Sequence, residues 1–318
     1  MTVLMKGKKV KPISLVLYGT PGVGKSTFAS GAPGCVFVGP EENDELEAMR
    51  FPITKSYAQL LGYLKELKNK KHQGIKTVVI DSISAIEKMI HVEIVDTDKK
   101  NSMALARGSY GKAYEEAAAK LWRIKKDCEI LRDKNGYNVI VIGHATKSHY
   151  TDPLLEIDYD MFEMGLHKSG RRDCNSFFTE WASTVLFINW ATYKSSDEKF
   201  AKGVGTREVL TEHRPSHLAK NRFGLPYRIS LDGVAPGEGW KILEDYISDF
   251  YKSGKHFEHD PEIDNKITEI HNLIKLVDDE ATVEKIKKHL RKTVDRTKQM
   301  EHLKVTEKRV REIIENQK

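Results

Sequence analysis

Residues 19–27 read Gly-Thr-Pro-Gly-Val-Gly-Lys-Ser-Thr and follow directly on the apolar run Ile13 to Leu17. This is the pattern GxxxxGK[ST] in full, and it constrains the chain on both sides of itself. A buried strand has to deliver the loop, glycines have to let successive backbone N–H groups turn inward as an anion nest, and Ser26 to Ala32 has to open a helix. Lys25 then reaches the β and γ phosphates of a nucleoside triphosphate, and the Ser26 hydroxyl ligates Mg²⁺. Gly19, Thr20, Pro21, Gly22, Val23, Gly24, Lys25, Ser26 and Thr27 are the expected nucleotide-binding residues, with ATP and Mg²⁺ as the expected cofactors.

The 318 residues suffice for one large α/β domain and an appendage, with an ample core. Cys35, Cys128 and Cys174 are an odd number without a CxxC pair, which points away from a disulfide framework or zinc site and towards a reducing compartment. The first residues carry Lys6, Lys8, Lys9 and Lys11 but no long apolar core, and no window approaches the length of a membrane span. A soluble, cytoplasmic protein is expected, without a membrane partner. The net charge of +6 permits a polyanion partner and does not demand one.

Strand-like runs recur at Ile13 to Tyr18, Cys35 to Val38, Thr77 to Asp81, Val139 to His144 and Thr184 to Trp190. Helical patterns cover Tyr57 to Lys71, Ser84 to Val95 and Lys112 to Lys134, the last with Leu121, Ile124, Cys128 and Leu131 at helical spacing. The alternation predicts an α/β fold with a mainly parallel sheet flanked by helices. Thr206 to Thr211 and Tyr227 to Leu231 read as late antiparallel edge strands around the polar stretch His213 to Arg222, with the core closing near Phe250.

Three regions are therefore expected: a basic arm over 1–12, an ATPase domain over 13–250 and a helical appendage over 255–318. In the appendage Ile263, Ile267, Ile270, Ile274 and Val277 share one face, as do Val283, Ile286, Leu290 and Val294. His256 to Glu284 holds two Lys against nine acids, and Lys285 to Lys318 holds twelve Lys or Arg against five. Such a bipolar tail fits two oppositely charged helices packed together or a basic arm for nucleic acid.

Thr77-Val78-Val79-Ile80-Asp81-Ser82 is an apolar strand ending in an acid, the arrangement that sets a second carboxylate beside Mg²⁺ through bound water. Asp81 is the expected metal partner of Ser26. With VVIDS following GTPGVGKST, and an acidic pair closing the second strand in VFVGPEE, the chain resembles the RecA-type branch of P-loop ATPases. The resemblance implies that Glu41 positions the attacking water, with the adjacent Glu42 open as an alternative. It also implies that His144, at the end of VIVIGHA, senses the γ phosphate. Lys220 and Arg222 in AKNRFGLP match cations that RecA-like assemblies set against a neighbouring subunit's ATP.

These motifs, spread over about Lys11 to Phe250, are closest to bacteriophage RecA-core ATPases of the Sak type, which act in single-strand annealing and recombination. The resemblance implies a phage-encoded, DNA-stimulated ATPase forming a homo-oligomeric ring or filament on single-stranded DNA. DNA-facing loops are then expected at Lys99 to Lys112, with Lys99, Lys100, Arg107, Lys112 and Tyr110, and at Thr146 to Ser176. The second loop is net acidic; in it only Lys168 to Arg172 could grip phosphate, and Tyr150, Tyr159 and Phe162 could stack on bases or pack the loop as a lid. Two other functions share the same motifs: a ring helicase or helicase-associated motor, and a nucleotide-gated interaction protein whose tail recruits a partner such as a single-strand-binding protein.

Overall fold

A computed structural model describes residues 10–70, 72–169, 172–193, 202–253, 266, 269–270, 273–274, 276–279, 282–283, 285–286 and 296–317. Lys6, Lys8 and Lys9 of the basic arm, Arg171, and Ile263, Ile267, Leu290 and Val294 of the tail lie outside the described residues. Two compact units divide the chain, Met1–Phe257 and Glu258–Lys318.

In the first unit the order is β1 (Ser14–Gly19), α1 (Lys25–Ser30), β2 (Cys35–Val38), β3 (Met49–Arg50), α2 (Tyr57–Asn69), β4 (Thr77–Ile80), α3 (Ile83–Thr97), α4 (Lys112–Asp133) and β5 (Asn138–Asp152). There follow β6 (Ile157–Met164), β7 (Lys168–Ser169), β8 (Arg172–Asp173), α5 (Cys174–Thr179), β9 (Thr184–Tyr193), β10 (Lys202–Leu210), β11 (Lys220–Asn221), β12 (Arg228–Ser230) and α6 (Gly239–Ser253). The main sheet runs β12-β10-β9-β1-β5-β4-β2-β3. Its centre is parallel, and β10 and β12 join it antiparallel at one edge. The fold is thus α/β with a mostly parallel sheet flanked by helices.

Every residue of β1 is buried, which requires cover on both faces. Side chains alternate accordingly. Val16, Tyr18, Val139 and Val141 face the core built with α2, α3 and α4, whereas Leu15, Leu17, Ile140 and Ile142 face the core built with α1 and α6. Ser56 and Ser82 cap α2 and α3 by accepting the amides of Gln59 and Ala85.

The stretch expected as a DNA-facing loop at Thr146 to Ser176 is instead largely a hairpin. Strand β5 continues past His144 to Asp152 and pairs antiparallel with β6 from Ala145↔Met164 to Asp152↔Ile157. Cross-strand pairs explain why so charged a stretch folds: Lys147 with Asp160 at 2.8 Å, Thr151 with Asp158 at 2.7 Å, and stacked Tyr150 and Tyr159 at 5.9 Å between ring centres. Phe162 packs on the core beside Phe187, and Lys168 lies over Tyr150 and between Glu163 and Asp173, so neither is a free nucleic-acid contact.

In the second unit Ile270, Ile274, Val277 and Ile286 pack with Leu303 and Val310 of a terminal helix, Arg296–Glu315. Lys266 pairs with Glu307 on that helix. Among the described residues no helix is long and apolar enough to cross a membrane.

Candidate functional site

The parallel strands end together at one edge of the sheet, where the register sets Gly19 opposite His144 and Ile188, and Val38 opposite Ile80. In open parallel sheets that edge is where ligands bind. The loop after β1 turns through Gly22 at φ 72° and Gly24 at φ 91°, conformations that favour glycine. A side chain at Gly22 would meet nothing within 4 Å, so the positive φ and not crowding is what calls for glycine there. Lys25 is buried, and its Nζ donates to the carbonyls of Gly19 at 3.2 Å and Thr20 at 2.9 Å. Burial lowers its pKa, opposed by the nearby Asp81 and Glu41 charges. The Thr20 hydroxyl is buried in the same loop without a hydrogen-bond partner among the described residues.

Ser26 Oγ donates to Asp81 Oδ2 at 2.6 Å, joining α1 to the end of β4. Asp81 is 3 % exposed, and burial raises its pKa. One hydroxyl and one buried carboxylate form a hard-oxygen pair that suits Mg²⁺, which takes its other ligands from phosphates and water. Among the described residues no group of three or more His, Cys, Asp or Glu could hold a metal without such help.

Glu41 reaches this centre because β2 and β4 leave the sheet in close contact. A Cβ on Gly39 would fall 1.8 Å from the Asp81 carbonyl oxygen, so only glycine lets the two backbones meet. The Glu41 amide then donates to that same carbonyl at 3.3 Å. Glu41 Oε1 accepts from Ser82 Oγ at 2.9 Å and from His144 Nε2 at 3.1 Å. The His144 bond is the main reason its carboxyl is held below the usual range, and an ionised Glu41 requires the proton on Nε2. Oε2 has no donor among the described residues. Glu42, the alternative, is exposed outside this cluster.

His144 is fixed from behind, its amide donating to Ser84 Oγ at 3.1 Å and its carbonyl accepting from Gly165 at 2.7 Å. The site therefore gathers Lys25, Ser26, Glu41, Asp81 and His144. It does not gather Lys220 and Arg222. Lys220 and Asn221 pair with Val185 and Thr184, at the end of β9 remote from the phosphate loop. Lys220 Nζ donates to the carbonyls of Thr179 at 3.0 Å and Glu180 at 2.7 Å, while Arg222 is exposed and pairs with no carboxylate among the described residues. The expected basic loop 99–112 also loses a cation, because Arg107 is clamped between Asp98 and Glu116. Lys99, Lys100 and Lys112 stay exposed, as does Tyr110.

Sequence reasoning missed three participants. Ser82 is both the cap of α3 and a donor to Glu41. Gly39 is the contact that admits Glu41, and its position in VFVGPEE was the available signal. Arg207 lies against the phosphate loop, its Nη1 2.6 Å from where a Gly24 Cβ would stand, and nothing local in the sequence announces that.

The AAA domain family matches residues 11–223. The RadB recombinase, known from a crystal structure, is similar at 15% identity over 66% of this chain and 86% of that chain, with a TM-score of 0.37. No curated protein matches. The family match spans the phosphate loop, the Asp81 strand and the His144 strand together, and the chain belongs to the AAA domain family, with the fold of a nucleotide-binding P-loop ATPase.

Proposed function

We propose that this chain is a Mg²⁺-dependent ATPase that works as an oligomer on single-stranded DNA, in the manner of the phage annealing and recombination ATPases its motifs resemble. The observation that carries the ATPase reading is the 2.6 Å contact between Ser26 Oγ and Asp81 Oδ2 at the mouth of the glycine-lined loop. Ser26 and Asp81 would hold Mg²⁺, Asp81 through water, and the ion supplies charge neutralisation at the transferring phosphoryl group. Lys25 binds phosphate oxygens with the loop amides. Glu41 keeps Oε2 for a water aligned with the γ phosphorus, while its Oε1 is anchored by Ser82 and His144. His144 senses the γ phosphate, whose oxygens compete with Glu41 for the Nε2 proton.

For the neighbouring subunit's site Arg222 is the better finger, since Lys220 must first leave its two carbonyl partners. Exposed Lys99, Lys100, Lys112 and Tyr110 support the DNA reading. The test is ATP turnover measured against protein concentration, with and without single-stranded DNA. Glu41→Gln should lower kcat by about 10²-fold or more and spare nucleotide binding. Mixing Arg222→Ala with Lys25→Ala subunits should restore turnover, because each supplies what the other lacks. Turnover indifferent to dilution, DNA and mixing would refute the oligomer and leave a simple ATPase.

A second reading, a nucleotide-gated protein that recruits a partner, is favoured by the hairpin tip, where Leu154 and Leu155 are 90% and 69% exposed. Background turnover in the full chain would select it.

A further inference from the structure

The turn between β5 and β6 carries Leu154 and Leu155, 90% and 69% exposed, with Ile157 beside them at 58%. Turns favour polar residues, and none of these three side chains joins either buried core of the unit. The turn is nevertheless firmly built. Asp152 Oδ1 accepts the amides of Leu154 at 2.8 Å and Leu155 at 3.1 Å, and the Glu156 amide closes on the Asp152 carbonyl at 2.8 Å. Side chains displayed on a fixed turn lose little freedom when they are covered. Seven steps of paired strand, at about 3.3 Å each, carry them about 23 Å beyond the Ala145↔Met164 pair. Apolar groups presented together in this way mark a docking surface.

Charge indicates what covers them. From Asp152 to Asp158 there are three acids and no Lys or Arg, and both Glu156 and Asp158 are exposed. Such a tip repels a polyanion. Its complement is an apolar floor with a basic rim, and this chain carries one. On α4 Trp122 is 42% exposed and meets Phe177 of α5 edge-on at 5.2 Å. Lys125 and Lys126 stand 4.5 and 5.1 Å from its ring centre, and their stems extend the floor. Both ammonium groups share a single carboxylate, Glu129. Arg123 reaches Asp127 only at 3.8 Å, and that buried acid already holds Lys68 at 2.5 Å. The rim therefore keeps a surplus of positive charge.

We infer that the hairpin tip of one molecule docks on the Trp122 face of a second copy, its leucines on the ring and its acids against Arg123 and Lys126. One surface meeting a different one is a heterologous contact, which closes into a ring or runs on as a filament. The inference rests on the oligomer reading above and gives that oligomer a contact separate from the ATP site.

The test is sedimentation velocity of the full chain over a range of concentrations, with Mg²⁺ and a slowly hydrolysed ATP analogue. The native protein should self-associate. Leu154→Ser with Leu155→Ser should weaken association by at least about tenfold, as the loss of two covered leucines requires. Glu156→Lys with Asp158→Lys should weaken it by at least about tenfold, because the tip then meets a rim of its own sign, and Arg123→Glu with Lys126→Glu should do the same from the other side. Mixing these two charge-reversed proteins should restore association, since each tip then finds an opposite rim on the other protein. Restoration also shows that both variants are folded. Lys99→Glu with Lys100→Glu, which reverses exposed cations in the loop before α4, should change association less than about twofold.

Native association in either charge-reversed protein alone, or no recovery on mixing two variants that melt as the native chain does, would overturn the assignment. Equal weakening by the reversal at Lys99 and Lys100 would reduce the effect to net charge and overturn it too. Loss of single-stranded DNA binding in the Leu154→Ser, Leu155→Ser protein, with assembly intact, would make the tip a nucleic-acid contact instead. A native chain that stays monomeric throughout removes the oligomer reading together with this one, whereas an oligomer that survives every variant removes only this one.

Discussion

Replacing Gly39 with alanine is expected to damage catalysis far more than nucleotide binding. The new Cβ would stand 1.8 Å from the Asp81 carbonyl oxygen and 2.6 Å from its carbon, where real Cβ contacts essentially never fall below 3.0 Å. Moving from 1.8 to 3.0 Å requires the exits of β2 and β4 to part by about 1.2 Å, and both obstacles are backbone atoms, so no side chain can swing aside. The bond from the Glu41 amide to that carbonyl, already 3.3 Å long, is the first to fail. Overpacking of this kind costs about 1–3 kcal/mol. At about 2–4 °C per kcal/mol for a domain of this size, Tm should fall by about 2–12 °C. Glu41 moves with its backbone, which breaks the 2.9 and 3.1 Å contacts to Ser82 and His144. Misplacement by an ångström costs on the order of 10²-fold in rate. The KM for ATP should stay within about threefold because the three atoms nearest the new Cβ all belong to the Asp81 backbone and none to the phosphate loop. Steady-state ATP turnover and a thermal melt on the same preparation measure all three quantities. A Gly39→Ala protein with native kcat would show that the Glu41 contacts tolerate this displacement, and the catalytic account built on them would fail.

Asp81→Asn should abolish Mg²⁺-dependent turnover yet raise Tm in the absence of nucleotide and metal, since it removes a carboxylate whose ionisation burial opposes; a lower Tm would contradict this. Glu87 accepts the His167 amide at 2.9 and 3.0 Å, and burial lifts its pKa to about 7. A carboxyl raised in the folded state is favoured there as the neutral acid, so its contribution is fully present below the unfolded value near 4.5 and is lost as pH rises towards 7. Melts at pH 5 and pH 8 should therefore show Glu87→Gln gaining on the native protein as pH rises, whereas parallel curves would refute the link. Lys100→Ala should reduce the salt slope of single-stranded DNA binding by about 1, as befits one phosphate contact. Arg107→Ala should instead lower thermal stability and leave that slope alone, because Asp98 and Glu116 already occupy its charge.

What could be read locally was read well. The phosphate loop, the strands ending at Val38, Ile80 and His144, and the crossover helices all rest on short-range patterns: glycine where φ is positive, apolar runs where both sheet faces are covered, and helical spacing over α4. Asp81 stood out in the sequence because an acid closes the apolar run Thr77 to Ile80 after the phosphate loop, and the structure sets its Oδ2 2.6 Å from Ser26 Oγ. The hairpin β5–β6 was not legible. Counted along the chain its acids look like an exposed loop, and only antiparallel pairing brings Asp160 to Lys147 and Asp158 to Thr151.

Composition and motif order sufficed for the α/β class and for the residues that line the phosphate loop, because those are properties of neighbours within a few positions. Tertiary closure alone decided that Glu41 and not Glu42 enters the cluster, that Arg107 and Lys220 are spoken for, and that Arg207 rests on Gly24. Each of these outcomes turns on contacts between residues far apart in the chain or on which of two adjacent side chains faces inward. Strand register and the closeness of two backbones set such contacts, and neither quantity is written in any one stretch of the chain.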